Sequence, residues 1–268
     1  MKIIIVPREH RKEELDFAKA LQLQIQYWSL YTHNHQVDIQ YSSNWGNLIE
    51  KPSDKADLII SVGGDGTFLR TVSEMKIQCP IIGINFGTVG FLTDVEKDHG
   101  IVEIQEIINN PLKIEERMRI DVIYNGKVIG TALNEIAFKS DAEYMVKYKV
   151  CVDGITATEF RGDGLIISTP TGSTAYAMSA GGPITDPRIQ GFLLVPLAPY
   201  LLSARPQIIH ESRQVIITAD DGTMRIDGEE RDFCIPGSVE IKVSTKPALF
   251  VDIDRNFFEK VNTKLKVI

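Results

Sequence analysis

The chain has 268 residues, enough for one large domain or two modest domains with substantial hydrophobic cores. Hydrophobic residues make up 43% of it and charged residues 24%, proportions that are ordinary for a globular protein and exclude a disordered or low-complexity one. The formal net charge is -7 and no basic block stands out, so we expect no broad electrostatic attraction to nucleic acid or to an anionic membrane. Any anionic ligand must therefore be held by local geometry.

The cysteines and the apolar segments predict a cytoplasmic protein. Cys79, Cys151 and Cys234 lie far apart and form no C-x-x-C motif, which favours a reducing compartment over a disulfide framework. The apolar start of the chain runs into charged residues after Pro7, unlike a secretory leader. The most apolar long stretch, residues 191–204, contains two prolines and is shorter than the roughly 20 residues that a membrane span needs.

The first 117 residues alternate between short apolar runs and segments with helical character. Continuous apolar runs without polar alternation are typical of parallel strands that helices cover on both faces. We therefore predict a Rossmann-like α/β domain with a parallel sheet over residues 1–117. The predicted strands are residues 2–6, 57–62 and 80–84, and the predicted helices are residues 11–23, 68–76 and 98–109.

Beyond a predicted boundary near residues 112–118, residues 118–253 are expected to form a β-rich domain. Short strand-like runs there are separated by the two-residue turn signals Asn125-Gly126, Asp153-Gly154, Asp221-Gly222 and Pro236-Gly237. The tail, residues 254–268, is predicted to be a helix that returns to complete the first domain. Its expected apolar stripe consists of Phe257, Phe258, Val261 and Leu265.

A glycine-rich loop, Gly63-Gly64-Asp65-Gly66-Thr67, follows the second predicted strand. Glycine lets a ligand approach the main chain, and N–H groups at the start of a helix converge on an anion, so we expect a phosphate site here. Its expected members are Gly63, Gly64, Gly66, Thr67 and the nearby cation Arg70.

Asp65 is the unusual residue of this loop, because a carboxylate next to a phosphate is repelled unless it has a chemical role. In phosphoryl transfer an aspartate can orient the attacking hydroxyl and accept its proton. The alternative is a tight turn in which Asp65 caps the following helix. The loop is neither a Walker A motif nor G-x-G-x-x-G.

The loop resembles the signature of NAD kinases and of the related diacylglycerol, sphingosine and 6-phosphofructokinase group. Three further segments resemble NAD kinases in particular, and the likeness is collinear from about Leu58 to Phe258. They are the loop of residues 85–92, which includes Phe91, the pair Asn134-Glu135, and the long run of residues 162–183.

This resemblance implies transfer of the ATP γ-phosphate to the 2′-hydroxyl of the adenosine ribose of NAD, which makes NADP. It also implies Mg²⁺ or another divalent cation carried by ATP, no permanently bound cofactor, and a homodimer or homotetramer. Asp65 is then the catalytic residue and the β-rich domain binds NAD. The implied NAD-binding residues are Asp65, Gly66, Phe91, Asn134, Glu135, Arg161, Asp163, Thr171, Thr174, Ala175, Tyr176 and Ser179.

Several of these residues, and Arg70, have a structural alternative. Asn134 and Glu135 can grip two ribose hydroxyls only if a loop or bulge turns both side chains inward, because adjacent side chains on a strand point in opposite directions. The hydroxyl-rich residues 169–176 can bind a purine, or they can form a turn in which Thr171 caps a helix that begins near Ser173. Asp163 can be a plain turn residue, and Arg70 and Arg161 can be solvated surface arginines.

Other motifs are interpreted structurally. The pair His33 and His35 is expected to be exposed, and we predict no zinc site. Asp221-Gly-Thr223 resembles part of the glycine loop, but no helix follows it and it is predicted to be a hairpin turn. Asp227-Gly-Glu229 stands where NAD kinases more often have Asp-Gly-Gln, so Glu229 either repels phosphate or faces solvent.

Two other functions remain open at this point. One is a lipid or sugar kinase that shares the glycine-aspartate loop, although no apolar funnel for an acyl chain is visible in the sequence. The other is a regulator that binds NAD or NADP without turnover, for which loss of Asp65 is expected. The presence of Asp65 favours an enzyme. Residues 191–204 supply either a subunit interface or part of the core.

Overall fold

The computed structural model describes residues 1–30, 36–39, 56–75, 77–87, 90–140, 144–234 and 237–266. The chain forms two compact units. The first unit is Met1–Glu116 together with Ala248–Ile268, and the second unit is Arg117–Pro247. The C-terminal return to the first unit begins at Ala248, earlier than the expected residue 254, because a strand as well as a helix returns. His33 and His35 lie outside the described residues.

In chain order, the strands of the described residues are β1 (Lys2–Pro7), β2 (Gln36–Ile39), β3 (Leu58–Gly63), β4 (Ile81–Asn85), β5 (Val95–Glu96), β6 (Ile114–Arg117), β7 (Ile120–Tyr124), β8 (Lys127–Ala132), β9 (Glu135–Lys139), β10 (Val146–Val152), β11 (Ile155–Gly162), β12 (Gly164–Ser168), β13 (Gly191–Leu197), β14 (Gln207–His210), β15 (Val215–Ala219), β16 (Thr223–Ile226), β17 (Glu229–Cys234), β18 (Gly237–Val243) and β19 (Ala248–Val251). The helices are α1 (Lys12–Ser29), α2 (Asp65–Glu74), α3 (Gly100–Asn109), the 3₁₀ helix Thr171–Thr174, α4 (Tyr176–Ser179) and α5 (Phe257–Leu265).

The first unit is built on a sheet with the strand order β2-β1-β3-β4-β19-β6, in which β5 also pairs with β4. The pairs β1–β2, β1–β3, β3–β4, β4–β5 and β4–β19 are all parallel. Every residue of β3 and of β4 is buried, as expected for strands covered on both faces. The predicted α/β fold with a parallel sheet is therefore confirmed.

The helices of the first unit differ from their predicted limits. Helix α1 continues to Ser29, six residues past the predicted end, and its buried face includes Ala18, Leu21 and Ile25. Helix α2 begins at Asp65 and not at Phe68, so the last part of the glycine loop is already helical. In α5 Val261 is buried, but Phe258 is 51% exposed, so its predicted place in the apolar stripe is wrong.

The second unit contains two antiparallel sheets, as the prediction of a β-rich domain requires. Their strand orders are β11-β10-β15-β18-β7-β8 and β14-β13-β12-β9-β16-β17. A large cluster of buried apolar residues, including Tyr148, Phe138 and Phe192, forms the core of this unit. The neighbouring strands β9, β12 and β13 are buried along almost their whole length. Glu135, at the start of β9, pairs with Ser168, at the end of β12, and the candidate NAD-binding residues lie at this end of the strands.

Two of the turn signals form hairpins as predicted, and a third does not. Asn125-Gly126 and Asp153-Gly154 have positive φ at both positions, which suits the tight turns between β7 and β8 and between β10 and β11. Asp221-Gly222 is no hairpin turn, because β15 and β16 lie in different sheets. Gly222 has φ 123°, and a Cβ there would lie 2.3 Å from the carbonyl oxygen of Lys139. Pro236 of the fourth signal lies outside the described residues.

Among the described residues, no helix is both long enough and apolar enough to cross a lipid bilayer.

Candidate functional site

The glycine loop lies at the carboxyl end of β3, in the first unit. A Cβ on Gly63 would lie 2.4 Å from Oγ1 of Thr67, so this glycine is needed for the loop to pack against α2. Gly64 and Gly66 differ, because a Cβ on either would meet no atom within 4 Å. Their main chain therefore borders open space at the N-terminal end of a ten-residue helix, where an anion is stabilised.

This open space is a cleft of about 390 Å³. It lies where the segment after β1 meets the glycine loop after β3. Its lining residues are Val6, Pro7, Arg8, Glu9, His10, Gly64, Gly66, Thr67 and Arg70. The volume is within the range of small-molecule sites, and a glycine-lined wall next to two arginines suits a phosphate chain.

Residues Arg8, Glu9 and His10 were not identified as site residues from the sequence. The pairing of Pro7 with Val62 in adjacent parallel strands brings them next to the glycine loop. The signal was present, since ligands of open α/β sheets bind where the carboxyl ends of neighbouring strands meet. His10 adopts φ 56°, an uncommon conformation for a residue other than glycine.

Arg70 lines the cleft but is also engaged by two carboxylates. Its Nε donates to Glu74 at 2.9 Å, and its Nη1 donates to Glu9 at 3.3 Å. The side chain is half exposed, so each ion pair has modest strength. The expected phosphate-binding role of Arg70 therefore requires exchange of a carboxylate partner for a phosphate.

The side chain of Asp65 does not cap α2. Gly64 is the N-cap residue and α2 has no side-chain capping bond, so the capping alternative is wrong. The Asp65 carboxylate instead accepts hydrogen bonds from three successive main-chain N–H groups of the next loop. The donors are Phe91 at 2.7 Å to Oδ2, and Leu92 at 3.0 Å and Thr93 at 3.3 Å to Oδ1.

These bonds fix the orientation of the carboxylate without using all of its acceptor sites. The hydroxyl of Thr93 also reaches Oδ1, at 3.3 Å, whereas Phe91 is the one donor to Oδ2 among the described residues. A carboxylate oxygen offers about two lone-pair sites, so Oδ2 retains a site for an incoming hydroxyl. Phe91 is placed beside Asp65 through its main chain.

In the second unit, Asn134 and Glu135 lie at the start of β9. Asn134 precedes the strand, and both side chains are buried, with exposures of 8% and 7%. Asn134 lies in a bend and not in the regular strand, so the pair has the irregular backbone that two inward side chains require. Oδ1 of Asn134 and Oε2 of Glu135 are buried and have no hydrogen-bond partner among the described residues. Buried polar atoms are rarely left unpaired, so two adjacent ones indicate a place for a ligand.

Asp227 holds this pair in place. Its carboxylate accepts from the main-chain N–H groups of Leu133 at 2.8 Å, Asn134 at 2.7 Å and Glu135 at 3.1 Å. The backbone of Asp227 is left-handed, with φ 50°, in the turn between β16 and β17. In the sequence this turn draws attention because of Glu229, which is expected either to repel phosphate or to face solvent. Glu229 is exposed.

The electrostatics of this pair are unusual. Burial, with a further effect from the neighbouring Asp227 carboxylate, raises the pKa of Glu135 from 4.5 to about 7. The main-chain N–H of Tyr176 bonds to the Glu135 carboxylate and opposes this shift. Burial also raises the pKa of Asp227, against the effect of its three N–H donors and of Arg119. A perturbed carboxyl group with an unpaired oxygen is typical of a functional site.

The hydroxyl-rich segment wraps around Asn134. Thr171 does not cap a helix: it lies inside the 3₁₀ helix, whose N-cap residue is Pro170. The hydroxyl of Thr169, one residue before that N-cap, accepts from the N–H of Gly172 at 3.0 Å and donates to the carbonyl of Leu133 at 2.5 Å. A Cβ on Gly172 would lie 2.1 Å from the carbonyl oxygen of Asn134. The two segments therefore pack main chain against main chain, and helix α4 begins at Tyr176 and not near Ser173.

The other predicted members of this segment differ in exposure. Thr171 and Thr174 are buried, and the Thr174 hydroxyl donates to the Thr171 carbonyl at 3.4 Å. Ala175 and Tyr176 are partly buried, and the Lys139 ammonium lies 4.9 Å from the centre of the Tyr176 ring. Ser179 is exposed. The structure brings Tyr176 directly to Glu135 and leaves Ser179 at the surface.

Arg161 and Asp163 are not brought to Asn134 and Glu135. Both are exposed and lie beside the start of β12. In the β9–β12 pair Glu135 is opposite Ser168, whereas the start of β12 is opposite Lys139, which separates the two places by roughly 13 Å at 3.3 Å per residue. Arg161 instead lines a separate surface cleft with Tyr200 and Leu201.

In the part of the chain that the structure describes, no group of three or more His, Cys, Asp or Glu residues is arranged to hold a metal ion.

Two family models match the chain. The model described as the ATP-NAD kinase N-terminal domain matches residues 5–112, and the ATP-NAD kinase C-terminal domain matches residues 133–253. A curated NAD kinase of Methanospirillum hungatei is 45% identical over 273 residues, with 99% of both chains covered. An NAD kinase of Methanocorpusculum labreanum is 43% identical, with 100% of both chains covered.

Solved structures give the same result. A crystal structure of an NAD kinase from Archaeoglobus fulgidus in complex with ATP matches with a TM-score of 0.83 and 30% identity, and each chain is covered completely. A yeast NADH kinase complexed with NADH matches with a TM-score of 0.85 over 99% of this chain and 87% of its own. Its 21% identity supports the fold alone.

Proposed function

The chain belongs to the NAD kinase family of phosphotransferases, and on this premise we propose how its residues transfer the γ-phosphate of ATP to the 2′-hydroxyl of the adenosine ribose of NAD. The observation that carries the proposal is the position of Asp65. Its carboxylate is held by the main-chain N–H groups of residues 91–93, and Asp65 itself lies in the loop whose Gly64 and Gly66 border the cleft. A fixed acceptor next to a phosphate cradle is what transfer to an alcohol requires.

In this reaction the 2′-oxygen attacks the γ-phosphorus of ATP, and the bond from that phosphorus to the β–γ bridging oxygen breaks. ADP leaves, and the hydroxyl proton passes to Oδ2 of Asp65. The N–H groups of Gly64 and Gly66 and the guanidinium of Arg8 bind the phosphate oxygens in the cleft. Because the transition state of phosphoryl transfer is loose, the contribution of these residues is mainly positioning and charge stabilisation.

The second unit binds NAD. Oδ1 of Asn134 and Oε2 of Glu135 accept hydrogen bonds from the ribose hydroxyls, which gives these buried atoms their missing partners. Thr171, Thr174, Ala175 and Tyr176 border the base, with Ser179 at the exposed edge. Arg161 and Asp163, which lie away from the pair, bind another part of the dinucleotide.

Mg²⁺ or another divalent cation enters with ATP as part of the substrate. The cation neutralises charge on the phosphates that the glycine loop and Arg8 also contact.

The direct test incubates the purified chain with MgATP and NAD and measures NADP. Parallel reactions replace NAD by diacylglycerol or fructose 6-phosphate, and ATP by polyphosphate. We expect NADP formation from MgATP and no phosphorylation of the lipid or the sugar. Phosphorylation of either alternative acceptor, or binding of NAD without turnover, would contradict the proposed reaction.

Two glycine variants test the phosphate cradle. Gly66→Ala places a methyl group in the cleft, where it meets no other part of the protein within 4 Å. We therefore expect a free energy of unfolding equal to or above that of the wild type, and a KM for ATP raised about 10-fold. Alanine is favoured over glycine inside a helix by roughly 0.5–1 kcal/mol. Steady-state kinetics and thermal unfolding check both parts.

Gly63→Ala is the matched control for this prediction. Its methyl group clashes with Thr67, so we expect a loss of about 1–3 kcal/mol in stability. If Gly66→Ala loses stability as Gly63→Ala does and keeps its KM for ATP, the open face of the loop is not the phosphate site.

The assembly proposed is a homodimer or homotetramer in the cytoplasm. Residues 191–197 form the buried strand β13, so this half of the apolar stretch belongs to the core. The rest of the stretch supports an interface, since Tyr200, Leu201 and Leu202 are 74%, 48% and 82% exposed. Size-exclusion chromatography distinguishes these states from a monomer. The free thiols of Cys79 and Cys151 are compatible with a reducing compartment.

A further inference from the structure

Lys260, on the C-terminal helix α5, reaches the loop that holds Asp65. Its ammonium donates to the carbonyl oxygen of Phe91 at 2.6 Å and to Oδ1 of Asp94 at 2.7 Å. The side chain is only 14% exposed. Lysine is rarely buried to this extent unless it is paired, and here each of its partners lies within four residues of the donors to Asp65.

The Phe91 carbonyl belongs to the same peptide group as the N–H of Leu92. That N–H donates to Oδ1 of Asp65 at 3.0 Å. The ammonium, the peptide group and the Asp65 carboxylate thus form one chain of hydrogen bonds. A cation on the carbonyl polarises the peptide, strengthens the N–H as a donor, and fixes the plane of the peptide.

Other residues near the C-terminus hold the same loop. Arg255 donates to the main-chain carbonyl of Asp94 and pairs with Glu103 at 2.8 Å. Asn256 caps the start of α5 by accepting from the N–H of Phe258, which sets the first turn of the helix that presents Lys260. The ammonium is therefore delivered from an anchored helix end.

From this arrangement we propose that Lys260 is a positioning residue for phosphoryl transfer, which acts on Asp65 through the peptide between Phe91 and Leu92. The inference rests on the proposed function of Asp65. Lys260 acts without touching substrate. Without the Lys260 ammonium, the orientation of the Phe91–Leu92 peptide is no longer fixed, and the Leu92 N–H becomes a weaker donor to the Asp65 carboxylate.

Lys264 provides a matched control on the same helix. Its side chain is 15% exposed and its ammonium pairs with Glu96 at 2.9 Å, one turn further along α5. Among the contacts of the described residues, it does not bond to the residues that bind Asp65. The two lysines are comparably buried, although Glu96 is 47% exposed and Asp94 is 23% exposed. Loss of either lysine removes an ion pair of the first unit, and only loss of Lys260 removes the hydrogen bond to the Phe91–Leu92 peptide.

The test compares Lys260→Met, Lys260→Arg and Lys264→Met in steady-state kinetics and thermal unfolding. For Lys260→Met we expect kcat to fall about 10- to 100-fold, with KM for ATP and for NAD within about twofold, because a small displacement of a catalytic group is costly. Lys260→Arg regains most of kcat, and Lys264→Met changes kcat less than about twofold. If both methionine variants lose kcat in proportion to the fall in their unfolding temperatures, the role of Lys260 is merely structural and the inference is wrong.

Amide hydrogen exchange of residues 91–93 supplies a readout that does not depend on turnover. We expect the exchange rate of these amides to rise at least about 10-fold in Lys260→Met and to stay unchanged in Lys264→Met. Unchanged exchange, or an unchanged kcat, in Lys260→Met overturns the inference. If Lys260→Met behaves as expected while Asp65→Asn keeps full kcat, the proposed role of Asp65 fails and Lys260 only orders the loop.

Discussion

Asp65→Asn is expected to lower kcat by about 10²- to 10⁴-fold, with KM for NAD changed much less. An amide does not accept the 2′-hydroxyl proton, and general-base catalysis contributes about this factor. The remaining carbonyl oxygen of asparagine can still accept from Leu92 and Thr93, so the loop stays largely in place. Steady-state NADP formation with MgATP checks the prediction.

The control must separate chemistry from loop anchoring, because Asp65 also ties α2 to residues 91–93. Thr93→Val removes one hydrogen bond to Oδ1 and leaves the carboxylate intact. We expect this variant to lose less than about 10-fold in kcat. If Thr93→Val is as slow as Asp65→Asn, the hydrogen-bond cluster and not proton acceptance accounts for the loss.

The second large effect is a pH-dependent free energy of unfolding from Glu135. Its pKa is about 7 in the folded protein against an ordinary value of 4.5, so the folded state holds the proton more tightly. The stability that this group contributes is therefore fully present below about pH 4.5 and is lost as the pH rises to about 7. The predicted loss is on the order of 3 kcal/mol.

Glu135→Gln isolates this effect, because glutamine does not titrate. We expect the variant to become more stable than the wild type as the pH rises from 4.5 to 7, and the difference to stay constant above pH 7. Asp227 faces Glu135 and also has a raised pKa, so the difference between the two proteins is the quantity to measure, by chemical denaturation. A difference that does not vary with pH contradicts the assigned pKa.

The same substitution weakens NAD binding, and the opposite signs of the two effects make the prediction specific. The ionised carboxylate accepts two hydroxyls better than an amide does, so we expect the Kd for NAD to rise about 10- to 100-fold at pH 8. In the wild type, affinity falls as the pH drops below 7. Glu229→Gln is the control, since Glu229 is exposed and should change neither stability nor Kd. Calorimetric titration measures the affinities.

The parts of the site that are local in sequence could be predicted. The glycine loop between a buried strand and a helix carries its own signature, because backbone freedom and the helix end are properties of adjacent residues. The pair Asn134 and Glu135 was likewise found, together with the need for an irregular backbone. Arg8 was missed, although its position directly after β1 is local information of the same kind.

The residues that support the site could not be predicted, because their partners are distant in sequence. Asp227 binds N–H groups that precede it by 92 to 94 residues, and Lys260 bonds to a carbonyl 169 residues earlier. When a side chain bonds to a main-chain N–H or carbonyl group, the residue type at the main-chain end is not restricted, so the sequence carries no pattern there. The folded arrangement alone reveals them.

Turn chemistry predicted where the chain reverses but not which sheet it enters. Asn125-Gly126 and Asp221-Gly222 give similar signals, yet the first joins paired strands and the second joins strands of different sheets. The preference for glycine at positive φ is common to both turns. Pairing is decided by the burial of whole strands, which the two turn residues do not encode.

A single-turnover measurement tests most directly whether Asp65 takes part in the chemical step. Enzyme in excess over NAD is mixed with saturating MgATP, and NADP is quantified after rapid quenching for the wild type and Asp65→Asn. We expect a rate at least about 100-fold lower in the variant, with the Kd for NAD changed less than about threefold. A wild-type rate in the variant, or a loss that added NAD fully restores, would contradict it.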